Sequence, residues 1–314
     1  MVSVAIAQLD GKWPNLALAK LAAWHRGNGD HVERFAPLGR YDIVYASKVF
    51  NDSQPEDEHY LPSDTIQGGT GYGLTGYGTL PDLVERTLPD FSLWPGWQKS
   101  MGFSTRGCVR HCPFCVVPRK EGAFRVVAEF WELWDGKSRE LVLLDNNLTA
   151  APVEHFRRLY ADAGRAGVTL DVCQGFDARL WTDEHAAIVA RGPAPRRLHF
   201  AFDNVRDEPA VRQAVHICEA AGIPARRLTF YVLIGFDTTE EEDLHRIDVL
   251  AGLGADQFVM PYNRHDQYQR MLARWCNSVS ARKSCSWQEY RDNVQANGYR
   301  RITTVEQEAL PDRV

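Results

Sequence analysis

The sequence predicts an α/β fold: an open, partial (β/α)6 TIM-like barrel with a small N-terminal α/β unit and a C-terminal extension. Two patterns carry that expectation. From about residue 100, six apolar runs alternate with segments of helical periodicity: "MGFSTRG", "ELVLLD", "VTLDVC", "RLHFAF", "LTFYVLIG" and "ADQFVM". Such alternation marks parallel β/α units. Polar or glycine residues follow the runs directly, at Cys108, Asp145, Gln174, Asp203 and Gly235. In parallel folds, ligand chemistry collects at the carboxyl ends of strands. Six units are too few for an eightfold ring, so the barrel is expected to stay open.

Residues 1–60 read as the N-terminal α/β unit. "VSVAIAQL" is a strand, "PNLALAKLAAWHR" an amphipathic helix with Pro14 near its start, and "YDIVYASKVF" a second buried strand. The stretch 51–64 holds five acidic residues and two prolines and reads as a loop. Residues 61–99 form a connector that contains the glycine-rich segment 68–78 and "LPDFSLWPGW". Residues 100–261 are the barrel. Within it, Phe124, Val127, Ala128, Trp131 and Trp134 share one face of a helix expected over 123–134. Pro152 opens a helix over 153–165, and Thr239 with Glu242 makes a capping-box signature. Residues 262–314 are polar and aperiodic, expected as a short helix and a tail.

The bulk properties narrow the function classes. Net charge is −5 and the pI about 6.1, so no global basic field points to a nucleic-acid partner. The basic clusters at 196–198 and 299–302 are short and read as solvated faces. No run approaches the ~18 apolar residues of a membrane span, and the N-terminus has no secretory leader pattern. Seven cysteines, an odd number unevenly spread, fit a reducing cytoplasm and a metal site better than a disulfide scaffold.

Three of those cysteines fall in "CVRHCPFC", spaced Cys108-x3-Cys112-x2-Cys115. A structural zinc needs a closed set of four ligands, usually in two pairs. His111 beside Cys112 is badly placed to bend back to the same ion. Cys276 and Cys285 are distant, and their spacing demands no role in such a site. Three thiolates suit an iron–sulfur cubane that leaves one iron open to a small molecule, with Phe114 as a shield.

This motif, with an aromatic residue before its last cysteine and placed after the first strand of a β/α array, resembles the radical S-adenosylmethionine superfamily. The resemblance covers roughly residues 100–260. It implies a [4Fe–4S] cluster on Cys108, Cys112 and Cys115, with the open iron chelating the methionyl end of S-adenosylmethionine. It further implies reductive cleavage to a 5′-deoxyadenosyl radical that abstracts hydrogen from a substrate, with an electron donor such as flavodoxin or ferredoxin. Asp145, Asn146 and Asn147 stand where that superfamily often carries a glycine–glycine–glutamate segment for the methionyl amine. They offer suitable acceptors, or else form an Asx turn that caps the next helix. Arg179 would pair with the methionyl carboxylate, or with Asp177 in a structural turn. Gln174 and Asp177 would face ribose or substrate, and Asp203 a ribose hydroxyl or substrate. Gly235 would let backbone approach adenine, with Val232 to Ile234 against the base. Cys173 reads as a small buried hydrophobe or a reactive thiol.

Two further segments are weighed against that reading. Gly71-x-Gly73-x-x-Gly76 matches a dinucleotide fingerprint by letter, but that motif requires a strand before it and a helix after it. The N-terminal β-α-β stretch resembles a truncated cobalamin-binding domain. Neither His25 nor His31 sits in an Asp-x-His-x-x-Gly context, so cobalamin is a secondary expectation. The substrate stays open among a small molecule, a peptide and a nucleobase, with cobalamin-dependent methyl transfer as an alternative reaction. No second three-cysteine set exists to hold an auxiliary cluster for sulfur insertion. The reading of another class is a non-catalytic iron–sulfur electron-transfer protein. A cytoplasmic enzyme without a membrane partner is the overall expectation.

Overall fold

The computed structural model describes residues 1–74 and 80–297. The chain divides into two compact units, one of Met1–Asn146 with Arg165–Asp171, the other of Asn147–Gly164 with Val172 onward. Both are mixed α/β with parallel sheets. Among the described residues no helix is long and apolar enough to cross a membrane.

The first unit opens with β1 (Ser3–Gln8), α1 (Leu16–Gly27), β2 (His31–Arg34), β3 (Ile43–Ser47) and β4 (Ile66–Gly68). They make a four-stranded sheet of order β2-β1-β3-β4 with every pairing parallel. Strand β1 is buried from Val4 to Ala7 without alternation, as a strand covered on both faces requires. Asn15 starts α1 by accepting the Leu18 N–H at 3.1 Å. Leu18, Leu21 and Ala22 of that helix then pack with Val4, Ile6, Val32, Val84 and Trp94. The edge strands β2 and β4 escape sequence reasoning because they are short and largely polar. Strand β4 lies within the stretch expected to be a connector, and it belongs to this sheet. It also supplies the strand that the glycine fingerprint seemed to lack. Gly69, directly after it, has φ +97°, and a Cβ there would strike the Lys48 carbonyl. Gly76 falls at 75–79, outside the described residues.

The unit continues through α2 (Asp82–Glu85), β5 (Ser100–Gly102), β6 (Thr105–Arg106), α3 (Val117–Lys120), β7 (Arg125–Val126), α4 (Phe130–Leu133) and β8 (Glu140–Leu143). After α5 (Val153–Ala166), β9 (Thr169–Val172) completes a sheet of order β5-β8-β9. The single strand expected over 101–107 is two strands. The break comes where the Ser104 and Thr105 amides turn away to the Asp145 carboxylate. The helix expected over 123–134 is not formed. Arg125 and Val126 instead pair antiparallel with Arg106 and Thr105. Helix α4 starts only after the reciprocal Glu129–Glu132 capping box. The apolar spacing misled because Val126 and Val127 belong to an exposed hairpin rather than a buried face.

The second unit carries α6 (Asp183–Arg191), β10 (Leu198–Ala201), α7 (Glu208–Ala220), β11 (Leu228–Ile234), α8 (Glu240–Gly252) and β12 (Asp256–Pro261). Its sheet runs β10-β11-β12, all parallel, and Phe176 adds a parallel bridge to Phe200. Phe176 packs on Trp181 at 4.8 Å between ring centroids, and Phe200 stacks on Phe230 at 5.3 Å. The Thr239–Glu242 capping box opens α8 as its spacing predicts. Where one short helix is expected after residue 262, three are found: α9 (Gln267–Asn277), α10 (Val279–Ser284) and α11 (Trp287–Asn297). The expected tail, with its basic cluster at 299–302, lies outside the described residues. The described strands form open sheets and no closed barrel.

Candidate metal centre

The cysteine motif sits on the hairpin loop between β6 and β7, whose two-residue ladder closes the loop at its base. Arg106 reinforces that base, with Glu121 at 2.9 Å and Glu85 at 2.6 Å, while its guanidinium lies 4.1 Å from the Phe103 ring centroid. Lys20 on α1 shares Glu85 at 3.0 Å. Burial pushes the Glu85 carboxyl up, but the Arg106 and Lys20 charges outweigh it and hold it below its ordinary range. Gly107, with φ +77°, passes so close to the Ala123 carbonyl that any Cβ would collide with it.

Within the loop, Cys108, Cys112 and Cys115 are all half-buried. The Cys115 N–H donates to the Cys112 carbonyl at 3.0 Å, and the Arg110 N–H points at Cys108 Sγ from 3.3 Å. Helix α3 begins just after Cys115, with Pro118 in its first turn. A cavity of about 510 Å³ opens beside Cys108, walled by His111, Pro118 and Phe124. His111, a bystander by sequence, therefore lines the same cavity as a motif cysteine.

The carboxyl end of β8 holds this loop in place. Asp145 is wholly buried and accepts hydrogen bonds from Ser104 N at 2.9 Å and from Ser104 Oγ, Thr105 N and Thr105 Oγ1 at 2.6 Å each. Burial pushes its pKa up, and those four donors pull it back. Asn146 Oδ1 accepts the Gly107 N–H at 2.9 Å. Asp145 and Asn146 thus fix the backbone entering the cysteine loop, a positioning role that residue type alone does not reveal.

The remaining sequence-predicted residues belong to the second unit. Asn147 Nδ2 donates to Asp177 Oδ2 at 3.2 Å, and the Asp177 N–H donates to Thr149 Oγ1 at 3.0 Å. Arg179 grips Asp177 as a fork, Nε to Oδ1 at 2.7 Å and Nη2 to Oδ2 at 3.2 Å, and reaches Asp207 at 3.2 Å. Of the two roles weighed for Arg179, the ion pair with Asp177 is the one seen here. Asp203 accepts the Leu233 N–H at 3.0 Å; burial raises its pKa against that bond and the charges of Arg246 and Arg179. Gly235 has φ +75°, and the Gln269 side chain occupies the space a Cβ would need. Val232 and Ile234 are fully buried in the core, and Gln174 is exposed.

Sequence reasoning missed Arg246. This α8 side chain has no exposed surface and donates to the Phe202 and Leu233 carbonyls at 2.9 Å each and to Asp243 at 2.5 Å. It ties α8 to the carboxyl ends of β10 and β11. The run "EEEDLHR" gave no signal beyond an ordinary charged helix face.

The donor chemistry of the loop fits an iron–sulfur cluster. Three thiols share one short loop, and a backbone N–H already points at one sulfur, the kind of bond that tunes cluster potential. Among the described residues, no three His, Cys, Asp or Glu side chains are drawn together as a preformed metal site. Cobalamin would have to be held by the N-terminal sheet. In a sheet of this order, a ligand would enter outside the ends of β1 and β3, where the strand order reverses. There Asp10 accepts from Val49 N at 2.7 Å, Phe50 N at 2.8 Å and Ser53 Oγ at 2.7 Å. Gln8 Nε2 donates to the Asp10, Gly11 and Trp13 carbonyls at 3.1, 2.9 and 2.8 Å. Asp10 and Gln8 thus spend their polar atoms on the chain's own loops there. His25 is buried between Asp30 at 2.9 Å and Tyr45 at 3.1 Å, and His31 faces Glu33 at 3.3 Å on the edge strand.

No family model and no curated protein matches the chain. Among solved structures it is similar to the apo, selenomethionine-labelled cobalamin-dependent S-adenosylmethionine radical enzyme OxsB. The TM-score is 0.42 and the identity 11%, with 94% of this chain and 55% of that chain covered. The chain therefore spans about half the length of that enzyme.

Proposed function

We propose that the chain is a radical S-adenosylmethionine enzyme built on a partial (β/α)6 barrel. One observation carries the reading: Cys108, Cys112 and Cys115 lie on a single loop, closed at its base by the β6–β7 ladder and reached a few residues after β5 of the parallel sheet β5-β8-β9. A [4Fe–4S] cluster bound there would supply the electron that cleaves S-adenosylmethionine into methionine and a 5′-deoxyadenosyl radical. The protein's own part is to hold and shield. Asp145 and Asn146 set the backbone that presents the three thiols, and the Arg110 N–H directs a donor to Cys108. Asn147, Arg179, Asp203 and Gly235 are the proposed contacts to S-adenosylmethionine, on loops after β8, β9, β10 and β11. Arg179 would keep Asp177 as its orienting partner. The reaction assigned is hydrogen abstraction, without a corrinoid.

The test is anaerobic reconstitution followed by dithionite and S-adenosylmethionine. Expected are about four irons per chain and release of 5′-deoxyadenosine. A reconstituted cluster that yields no product derived from S-adenosylmethionine would leave only the electron-carrier reading. A zinc-loaded protein without iron would sink both.

A further inference from the structure

We propose that the outer face of the cysteine loop is a docking surface for a small acidic one-electron carrier protein. This rests on the radical-enzyme reading and adds to it the place and chemistry of the reductant's contact.

The chain as a whole is acidic, with net charge −5, yet the segment 104–128 is the reverse. It holds Arg106, Arg110, Arg119, Lys120 and Arg125 against a single acid, Glu121. Glu121 is consumed by Arg106 at 2.9 Å. Arg119, Lys120 and Arg125 are exposed, and no carboxylate of the described residues lies within ion-pair distance of them. Arg119 and Lys120 fall in the single turn of α3, directly after Cys115. A local cationic surface on an anionic protein selects an anionic partner and speeds its encounter.

Apolar side chains are interleaved with those charges. Val109 is 49% exposed and Val116 40%, and each is the chain neighbour of a motif cysteine. Val126, Val127 and Trp131, on the returning arm of the hairpin and the helix after it, are also exposed, at 41%, 42% and 50%. Aliphatic contacts within a charged rim are the anatomy of a protein–protein contact. A nucleic-acid strand would ask instead for stacking platforms along a cationic groove, and the four valines offer it none. The contact needs to be only small and brief, as electron-transfer encounters are. One electron passes from the reduced carrier to the bound cluster, so the carrier is oxidised by one electron and the cluster reduced by one. No atom or proton moves.

The experiment uses the anaerobically reconstituted holoenzyme, an acidic flavodoxin as the probe, and the double variant Arg119→Glu/Lys120→Glu. Binding of oxidised flavodoxin is measured by calorimetry at low and high ionic strength, with a single-stranded oligonucleotide as the competing ligand. The expected result is salt-sensitive flavodoxin binding that the double variant weakens about tenfold at low salt. Iron content and dithionite-driven cleavage should stay unchanged, while flavodoxin-driven cleavage falls. Equal affinity of both proteins for flavodoxin overturns the proposal, as does tighter binding of the oligonucleotide than of flavodoxin. Loss of product with dithionite in the unaltered protein sinks the enzyme reading alone, because the binding measurement reads the docking surface independently.

Discussion

Asp145 illustrates how a residue's role is decided by what surrounds it. Its letter and its place after a strand suggest a ligand contact, but it spends four hydrogen bonds on Ser104 and Thr105 without any exposed surface. Asp145→Ala would leave buried amide and hydroxyl donors without acceptors, a loss of about 3 kcal/mol. Urea unfolding should read that loss, and iron bound per chain after reconstitution should fall with it. The conservative Asp145→Asn keeps part of the acceptor set and should recover part of both. Asn146 could be read from sequence as a polar loop residue, whereas its bond to the Gly107 N–H could not, since that partner is remote in the chain.

At the scale of elements, local signals were legible where they close within a few residues. The Thr239–Glu242 capping box and the Pro152 helix start are both of this kind. Pairing with a remote strand was not, which is why Arg125 and Val126 were assigned to a helix rather than to the β6–β7 hairpin. The brace from α8 is equally non-local. Arg246 and Asp243 are both fully buried, and Thr238 Oγ1 and Tyr268 Oη also donate to Asp243, at 2.8 and 3.3 Å. Removing the cation strands a buried carboxylate and two strand-end carbonyls, so Arg246→Ala should cost about 3–5 kcal/mol. Chemical denaturation measures it. A double variant Arg246→Met/Asp243→Leu should recover a large part, because the pair is removed rather than broken.

For the whole molecule, the seven cysteines divide by environment. Burial pushes the Cys218 and Cys276 thiols up to about 12, leaving them almost free of reactive thiolate at neutral pH. Cys108, Cys112 and Cys115 are half-buried on a surface loop. Alkylation of the native apo chain, read by peptide mass spectrometry, should therefore mark the three loop cysteines and spare Cys218 and Cys276. Cluster loading should then protect the loop cysteines alone. Protection of Cys285 together with the loop would mean a fourth sulfur ligand and a different metal chemistry.

The α/β class, the order of the six strand-bearing units and the identity of the three clustered thiols can all be read along the chain. Each is written in local composition and spacing: apolar runs, helical periodicity, cysteines a few residues apart. What those features do to one another was set by the folded arrangement. It joined β4 to the N-terminal sheet, tied Asp10 to the loop after β3, and assigned Asp145 and Asn146 to hold the cysteine loop. The reason is physical: hydrogen bonds, ion pairs and exposure depend on partners far apart in the chain, and no window of sequence contains both ends of such a contact.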